Sequence, residues 1–532
     1  MLVIRSTAIT SLMLAGVLAL PAAAQQPKAC AVDEGKPANV ARAYLTVSQV
    51  ASATPAAPVP DAKKRLMAAV ESLTKPVPAG KTVENPVGSA YELGKLLVLW
   101  SVQPGVPLES NRGLLGYASD PAGSLNLPAA IDSEFTIVET AMPECESETL
   151  KWRSQKAWLT LVNGSIQELN AGSLDSADLH AHESMVLNHR APYGYMVMAQ
   201  VAQRRNQTDH AIDLFRKTIA AASDTSYAEV RYQSLVNLGN IAQQAAETDA
   251  AASAKYLPIA KEAYSTLYRD TTASSGYRIQ AGGGLVDVYL AMHDTASAKA
   301  LYQGQITNPS AYTFNDLVQA GVWASRVGDS DGSMKAFEAA YQMNPYHRDA
   351  LSNLALIELK SNHFDKALML VNRLQSVDPD GNNGRLLVYT YAGLAKMFAD
   401  SNKSVVARYA KSKSPKVKQI LTDSASLTTD SNRVYTDLAL KANSAADSMP
   451  VLVTFSQFSN VDNAVTLTGS IENKTDASKT YTMKVDFLDK TGAVVVSQTA
   501  TVGPVASKAS GRFSVTATAP GIMAFKYAPL TP

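Results

Sequence analysis

The sequence predicts a mostly α-helical protein, a solenoid of paired helices followed by a small all-β sandwich. The first observation is an apolar pattern in residues 311–380 that occurs twice, with its copies 34 residues apart. The second is a change of apolar period after Met449-Pro450, from about 3.6 residues to two. The third is the length of 532 residues, which exceeds the usual size of one domain. A helical array with a C-terminal β module follows from the three together.

The repeat is clearest in residues 316–379. Its matched positions include Leu317 and Leu351, Phe337 and Val371, and Pro345 and Pro379. The differences 351 − 317, 371 − 337 and 379 − 345 all equal 34, which is the period of a helix–turn–helix solenoid repeat. Gly321 and Ala355 recur at the same step, where small side chains allow the two helices of a pair to cross closely. A proline then ends each second helix, since it has no N–H to continue the helix.

This pattern resembles the tetratricopeptide repeat (TPR) family, closely in residues 316–379 and more loosely in residues 193–309. Before residue 191 the likeness depends on helix pairing alone. The resemblance implies a right-handed superhelix whose concave face, formed by the first helices of the pairs, holds peptides or proteins. The protein would then be a non-catalytic scaffold or adaptor with a protein or peptide partner and no cofactor.

Mapped onto this sequence, the resemblance gives a set of candidate groove residues on the first helices. They are Met196, Gln200, Gln203, Arg204, Gln233, Asn237, Asn240, Asp287, Arg326, Ser352 and Lys360. Amide side chains suit a peptide backbone because they both donate and accept hydrogen bonds. Asn237 and Asn240 are the favoured pair, one helical turn apart. The alternative is a solvated groove that binds nothing.

The N-terminus has the features of a cleavable signal peptide over residues 1–24. Arg5 supplies a positive charge, Ala8–Leu20 an apolar stretch and Ala22–Ala24 a small-residue cleavage pattern. We expect a mature chain that begins at Gln25 and is exported to the periplasm or beyond the cell. Lys95 interrupts the best later apolar run, so no membrane-spanning helix is expected.

The chain has two cysteines, Cys30 and Cys145, both in the part that would be exported. A disulfide between them is the simplest interpretation, and two unpaired buried thiols are the alternative. Closing a loop of that length stabilises a protein by roughly 4–5 kcal/mol at most in the chain-entropy model. Two isolated cysteines lack the paired ligand spacing of a zinc site, so no metal is expected there.

The charge balance gives no global electrostatic field, with 48 Lys and Arg against 47 Asp and Glu. A nucleic-acid partner therefore gains nothing from net charge. One basic run has no acid within it: Lys403, Arg408, Lys411, Lys413, Lys416 and Lys418. A peripheral contact with the cell envelope is one interpretation of this run, and a solvated surface is the other. Nucleic acid is disfavoured because Tyr409 is the one aromatic residue available for stacking there.

Apolar periodicity predicts degenerate helical hairpins in residues 25–190. The expected helices are residues 37–53, a helix that Asp61 could cap, and residues 88–102, 127–142, 148–169 and 173–187. Residues 103–126 form a Gly- and Pro-rich insertion, which is either a binding element or a passive cover. An enzyme site hidden beneath this insertion is a further possibility.

The TPR-like array is predicted for residues 191–400, and residues 401–449 are expected to be capping helices and linker. Ala281-Gly282-Gly283-Gly284 is costly inside a helix, at roughly 1 kcal/mol per glycine relative to alanine. Two explanations are open at this point: the helices pack unusually close there, or the helix is frayed.

Residues 450–532 alternate in the manner of β-strands, with Tyr481, Met483, Val485 and Phe487 as the clearest run. Six or seven short strands predict a β-sandwich, which resembles FxLYD and fibronectin-III-like modules. A carbohydrate- or envelope-binding protein that acts through this module is an alternative function. It would need an aromatic platform, whereas the sandwich aromatics mostly alternate as core residues: Tyr481, Phe487, Phe513, Phe525 and Tyr527.

The histidines give no sign of a catalytic or metal site. His180 and His182 point about 200° apart on a helix, and only His180 and Glu183 share a face. Zinc-binding helices place their ligands four residues apart, as in HExxH, and that spacing is missing here. Surface histidines are therefore expected. The sequence also lacks a hydrolase triad motif, a phosphate loop and a dinucleotide fingerprint, so no enzyme activity is predicted.

Overall fold

The computed structural model describes residues 29–53, 59–461 and 463–530. The predicted signal peptide, residues 1–24, lies outside the described residues. The chain divides into two compact units, residues 1–242 and 243–532. Over the described ranges, none of the helices combines the length and the apolar character that crossing a membrane demands.

The first unit is a set of helical hairpins with one short β-hairpin. Its helices are α1 (Ala38–Ala51), α2 (Ala62–Thr74), α3 (Pro86–Ser101), α4 (Arg112–Leu115), α5 (Leu127–Ala141), α6 (Glu146–Arg153), α7 (Lys156–Ala171), α8 (Leu174–Leu187), α9 (Tyr193–Arg204), α10 (Thr208–Ala221) and the start of α11 (Ala228–Ala246). The strands are β1 (Glu109–Asn111) and β2 (Ser124–Asn126), which pair antiparallel.

Two local predictions in this unit are wrong. Residues 148–169 form two helices rather than one, with a break at Ser154-Gln155. Arg153, just before the break, is held by α5, because its guanidinium pairs with Asp132 at 2.7 Å and Glu139 at 2.9 Å. Asp61 precedes α2 as expected, but its side chain accepts no capping hydrogen bond.

Cys30 and Cys145 form the predicted disulfide, with their Cα atoms 4.5 Å apart. Cys145 is fully buried in the core of this unit, beside the helices that carry Leu97 and Phe135. The bond ties the segment before α1 to the turn after α5. The same segment places Glu34 2.6 Å from the ammonium group of Lys95.

The insertion of residues 103–126 is an ordered cover rather than an open loop. It contains β1, α4 and β2, and its Val106, Leu108 and Leu125 pack on the core. The backbone N–H of Leu127 donates to the carbonyl oxygen of Leu108, which joins the insertion to the start of α5. Asn126 caps α5 by accepting from the backbone of Ala129.

The second unit continues the hairpins and ends in the sandwich. Its helices are α12 (Ala250–Arg269), α13 (Ser275–Ala291), α14 (Thr295–Ala300), α15 (Gln303–Thr307), α16 (Phe314–Val327), α17 (Ser330–Met343), α18 (Arg348–Lys360), α19 (Phe364–Val377), α20 (Gly384–Lys411) and α21 (Pro415–Asp447). The starts of α16 and α18 differ by 348 − 314 = 34, and those of α17 and α19 by 364 − 330 = 34. The structure therefore has the helical period that the sequence predicts.

The glycine run lies inside an uninterrupted helix, α13. A Cβ at Gly282 would lie 2.4 Å from the ring of Trp323, and one at Gly284 would lie 2.5 Å from the ring of Tyr264. Real Cβ atoms do not approach other atoms so closely. Of the two explanations for the run, close packing is therefore correct, and the helix is not frayed.

The two helices α20 and α21 are longer than those of the repeats before them, at 28 and 33 residues. They pair along their lengths: Asn432 donates to the carbonyl oxygen of Ala395, and the rings of Phe398 and Tyr435 stack with centroids 5.6 Å apart. Within residues 401–449 the linker is thus limited to the short turn at residues 412–414 and the residues after α21.

The C-terminal module is a two-sheet sandwich of six strands within the described residues. They are β3 (Val451–Val461), β4 (Ala464–Asn473), β5 (Lys479–Leu488), β6 (Val494–Val505), β7 (Ser510–Thr518) and β8 (Ala524–Tyr527). One sheet has the order β3-β4-β7 and the other β6-β5-β8, and all their pairings are antiparallel. Phe455↔Gly469 in the first sheet and Phe487↔Phe525 in the second illustrate the registers.

The sandwich is fastened to the loop after α19 by buried hydrogen bonds. The Tyr527 hydroxyl donates to Asp378 Oδ1 at 2.8 Å and accepts from the backbone N–H of Asp380 at 3.1 Å. The backbone N–H of Leu530 donates to Asp380 Oδ2 at 2.7 Å. A charge-assisted network of this kind holds the two parts in one geometry.

Candidate functional site

The candidate groove residues all lie on first helices of their hairpins, and none is fully buried. They are Met196, Gln200, Gln203 and Arg204 on α9, Gln233, Asn237 and Asn240 on α11, Asp287 on α13, Arg326 on α16, and Ser352 and Lys360 on α18. The first seven belong to the first unit and the last four to the second. The structure therefore keeps every one of these side chains accessible, but it divides them between two units.

In the first unit, several of the candidate side chains already form hydrogen bonds within the protein. The side-chain amide of Gln233 donates to Asn237 Oδ1 at 3.2 Å, so the two residues form an i, i+4 pair on α11. The guanidinium of Arg204 donates to the carbonyl oxygen of Leu169. A peptide that bound to Asn237 would have to share or replace the hydrogen bond from Gln233.

In the second unit, two of the predicted residues meet. The guanidinium of Arg326 on α16 lies 3.2 Å from a carboxylate oxygen of Asp287 on α13, and both side chains are nearly half exposed. The exposed faces of these consecutive first helices are thus adjacent. An exposed ion pair of this kind contributes little to stability, since measured values are about 0–1 kcal/mol. Both groups are therefore available to a ligand at small energetic cost.

A pocket of about 340 Å³ lies beside this ion pair, between α12, α13, α15 and α16. Its lining is Tyr268, Ser275, Arg278, Ile279, Gln305, Tyr312, Asp316, Gln319 and Trp323. The volume is at the lower end of the range of ordinary ligand sites, about 300–1,000 Å³. Aromatic and aliphatic surface, two amides, a guanidinium and a carboxylate together suit a peptide segment. We name this site the α13–α16 pocket.

The indole of Trp323 is the unusual group in the α13–α16 pocket. Trp323 is only 3 % exposed, and its Nε1–H has no hydrogen-bond acceptor among the described residues. A buried donor without a partner costs about 1–3 kcal/mol. A Cβ at Gly283 would lie 3.7 Å from this Nε1 and 3.6 Å from a guanidinium nitrogen of Arg326. The unpartnered donor and the predicted groove arginine therefore approach the same point of α13.

The walls of the α13–α16 pocket are fixed by the surrounding packing. Asp316 Oδ2 accepts from the backbone N–H and the hydroxyl of Thr313, which completes a capping box at the start of α16. The ring of Tyr268 packs edge-on against Trp323, with centroids 6.2 Å apart. Burial raises the pKa of Tyr268, so its hydroxyl stays protonated near neutral pH. The site is therefore largely preformed.

The α13–α16 pocket is not evident from the sequence patterns alone, although two features of the sequence point to it. The glycine run of α13 marked a close approach by a large side chain, and Trp323 is the ring that makes it. Gln319 lies seven residues before Arg326, which places the two on nearly the same helical face. What one sequence does not show is which residue of the chain packs against Gly282.

A second pocket, of about 260 Å³, lies in the first unit beneath the insertion. Its lining is mostly apolar: Ser101, Val106, Leu108, Pro128, Ile131, Ala157, Thr160, Leu161, Gly164, His180 and Leu187. His180 Nδ1 lies 2.8 Å from Glu168 Oε2 at this site. This pocket lies under residues 103–126, the position considered for a hidden enzyme site.

His182 and Glu183 do not line this pocket. His182 is exposed, whereas Glu183 is buried and accepts from the side-chain amide of Asn126 at 3.1 Å. In the described part of the chain, no group of three or more His, Cys, Asp or Glu residues is placed to hold a metal ion.

The sandwich aromatics lie in its core. Tyr481 and Phe487 are fully buried, and Phe513, Phe525 and Tyr527 are at most 7 % exposed. They therefore do not form the aromatic platform that carbohydrate recognition would need.

Comparison with known proteins finds similar solved structures but no matching family. No protein-family model matches the chain, and no curated protein matches it by sequence. Among solved structures, PilF of Pseudomonas aeruginosa is 14 % identical, with 41 % of this chain and 91 % of that chain covered and a TM-score of 0.27. A tetratricopeptide repeat protein from Parabacteroides merdae is 10 % identical, with 47 % and 86 % covered and a TM-score of 0.26.

A third similar structure is the TPR2AB domain of yeast Sti1 in complex with pHSP90. It is 14 % identical, with 54 % of this chain and 98 % of that chain covered and a TM-score of 0.22. TPR proteins are thus among the structural neighbours. At these TM-scores no functional assignment follows from the likeness.

Proposed function

We propose that this protein is a non-catalytic scaffold or adaptor that binds a peptide or protein segment on the first-helix face of its second unit. The observation that carries the proposal is the pocket lined by Trp323, a buried residue whose Nε1–H lacks an acceptor among the described residues, close to the Asp287–Arg326 pair. A backbone carbonyl of a bound peptide would supply that acceptor and remove the cost of the unpaired donor.

The surrounding groups fit an extended peptide. Gln305 and Gln319 can each donate to and accept from a peptide group. Arg278, which is exposed, can pair with an acidic side chain or a C-terminal carboxylate of the ligand. The rings of Tyr268 and Tyr312 supply apolar surface for a side chain between them. Ser352 and Lys360 on α18, in the same unit, would extend the contact to a longer partner.

A random-peptide phage library panned against the immobilised protein tests this proposal. The selected peptides, synthesised and measured by fluorescence anisotropy, should bind the wild type. Trp323→Phe keeps a ring in place and removes the N–H, so we expect affinity to fall at least tenfold, and Gln319→Ala should act in the same direction.

Trp100→Phe is the matched control for this experiment. Trp100 is also buried, and its Nε1 also lacks an acceptor among the described residues, but it does not line the α13–α16 pocket. Its replacement should leave peptide affinity unchanged. Equal affinity of Trp323→Phe and the wild type, with both proteins folded, would remove the basis of the proposal.

We also propose that the protein is exported. The composition of residues 1–24 supports this proposal, and the Cys30–Cys145 pairing is the kind of bond that persists in oxidising compartments. Expression in a Gram-negative host followed by fractionation should place the chain in the periplasm, with Gln25 as its first residue by mass spectrometry. A full-length chain recovered from the cytosol would contradict it.

A further inference from the structure

The hairpin of α20 and α21 extends past the repeat that supports it. Helix α20 has four buried residues, and three of them lie in its first half: Thr390, Leu394 and Ala395. In the same half, Gly393 packs against the ring of Phe364 on α19. Beyond Ala395 the one buried residue is Val405. We call the outer part, residues 401–420, the arm tip.

The charged residues of the arm tip are all basic. Its six basic residues are Lys403, Arg408, Lys411, Lys413, Lys416 and Lys418, and residues 401–420 contain no acid. Five of these six side chains are exposed, and Lys418 is half-buried over the ring of Tyr409. A single-sign surface of this kind is complementary to an anionic partner.

The arm tip also exposes large apolar side chains next to these charges. Val406 is 54 % exposed, Tyr409 40 %, Val417 42 % and Ile420 55 %. Val406 is five residues from the end of α20 (411 − 406), and Ile420 is five residues from the start of α21 (420 − 415). At 1.5 Å per residue, all four lie within about 7.5 Å of the hairpin turn along the helix axes. That depth matches the roughly 5–10 Å to which interfacial segments enter a lipid bilayer.

We propose that the arm tip docks end-on to the surface of an anionic phospholipid bilayer. The Lys and Arg side chains would pair with lipid phosphates, and the four apolar side chains would enter the boundary between headgroups and acyl chains. Nucleic acid fits less well, because stacking needs several aromatic side chains and the arm tip has Tyr409 alone.

The orientation follows from the charges farther along α21. Asp423, Asp430 and Asp437 are exposed at seven-residue intervals and flank the apolar row that continues through Leu427 and Val434. A hairpin that lay flat would press these three carboxylates against anionic lipid. End-on docking keeps Asp430 and Asp437 away from the membrane.

Co-sedimentation of the purified protein with vesicles tests the proposal. Vesicles of phosphatidylglycerol and phosphatidylcholine are compared with pure phosphatidylcholine, at low and at physiological salt. We expect partitioning into the anionic vesicles that weakens as salt rises. A basic residue near such a surface contributes about fivefold in partition coefficient. Lys411→Gln/Lys413→Gln/Lys416→Gln should therefore reduce partitioning by about 100-fold.

A matched triple variant distinguishes the effect of the arm tip on partitioning from the effect of the protein's net charge. Lys217→Gln/Lys299→Gln/Lys335→Gln removes the same charge from exposed positions elsewhere and should leave partitioning within about twofold of the wild type. An equal loss in both triple variants would overturn the proposal, as would equal binding to pure phosphatidylcholine. Binding to a DNA duplex without binding to anionic vesicles would also overturn it.

The apolar part of the contact has its own control. Ile420→Ser should weaken partitioning by about tenfold, since it removes a buried aliphatic side chain from the docked state. Leu427 is 68 % exposed, yet it lies 12 residues into α21 (427 − 415), about 18 Å from the turn. Leu427→Ser should therefore have no effect. A matching loss in Leu427→Ser would contradict end-on docking, and circular dichroism confirms that each variant keeps its helices.

Discussion

Glu92 and Lys95 make a buried contact between two ionisable groups of the first unit. Glu92 is fully buried and Lys95 is 3 % exposed, and their side chains are in direct contact within α3. The ammonium group of Lys95 also contacts Glu34 at 2.6 Å and lies 4.1 Å from the ring centroid of Tyr91. Burial raises the pKa of Glu92 to about 8, although Lys95 lowers it in part. Charging this carboxyl inside the folded protein is therefore costly.

The first prediction concerns the pH dependence that follows. Because the pKa of Glu92 is raised from 4.5 to about 8 in the folded state, its contribution to stability is fully present at or below pH 4.5 and is lost as pH rises through about 8. Glu92→Gln cannot lose a proton, so its free energy of unfolding should fall less between pH 5 and pH 9 than that of the wild type. The difference should be a few kcal/mol at most.

Urea unfolding followed by circular dichroism at the two pH values measures this effect. Glu71→Gln is the control, because Glu71 is exposed and pairs with Lys75 at the surface. Its pH dependence should match that of the wild type. If Glu92→Gln also matches the wild type, Glu92 is already charged or solvated at pH 5.

Core residues of the repeat give the second prediction. Phe337 is 1 % exposed and Leu354 is 3 % exposed, and both belong to one core cluster. Phe337→Ala or Leu354→Ala should lower the free energy of unfolding by roughly 2–5 kcal/mol, through lost burial and the cavity that remains. Thermal or urea unfolding measures the change. Leu356 lies on the same helix as Leu354 and is 37 % exposed, so Leu356→Ala should change stability by no more than about 0.5 kcal/mol.

At the scale of elements, the hairpins follow from local pattern, but their interruptions depend on contacts between helices. The second helix after α13 is divided into α14 and α15 around Tyr302. Tyr302 is fully buried, and its hydroxyl donates to Asp329 Oδ2 at 3.1 Å at the start of α17. The helix is interrupted at Tyr302, and this interruption accompanies the burial of the ring with its hydroxyl hydrogen-bonded to Asp329. Apolar spacing alone predicts the helix but not the break.

The third prediction concerns the contact between the repeats and the sandwich. Tyr527→Phe removes the hydroxyl that donates to Asp378 and accepts from the backbone of Asp380, while the ring remains in the sandwich core. The loss of these two buried hydrogen bonds should cost about 1–3 kcal/mol each at most. Urea unfolding should show this loss. Tyr389→Phe, at a position that is 57 % exposed, should change nothing measurable.

At the scale of the whole molecule, the sandwich is more than an appended module. Burial raises the pKa values of Asp378 and Asp380, whereas Arg348 and the Tyr527 hydroxyl lower that of Asp378. Both carboxyls lie in the loop after α19 and depend on the sandwich for hydrogen bonds. The C-terminal residues thus complete the environment of two buried acids in the helical array.

The fourth prediction follows from this dependence. Removal of residues 450–532 should leave most of the helical circular dichroism signal, because the helices are formed by their own hairpins. The melting temperature of the helices should fall, since Asp378 and Asp380 lose partners and the surface that β8 covers on α19 becomes exposed. An unchanged melting temperature would show that the sandwich does not support the array.

Sequence patterns predict the structural positions of those residues whose positions depend on spacing along the chain. The 34-residue step, the strand alternation around Tyr481 and the placement of the groove candidates on first helices all come from near neighbours in the chain. The α13–α16 pocket was missed because its walls come from four helices, and the meeting of Trp323 with Gly282 depends on how α16 packs on α13.

The sequence by itself determined the fold class, the helical period and the sandwich, because apolar periodicity and turn residues act over short distances. The tertiary structure alone decided which side chains meet. Examples are Trp323, whose N–H has no acceptor among the described residues, near Asp287 and Arg326, the two acids that bind the sandwich, and the basic and apolar side chains of the arm tip. The physical reason is that burial and hydrogen-bond partners are properties of packing between distant segments, which periodicity along one chain does not encode.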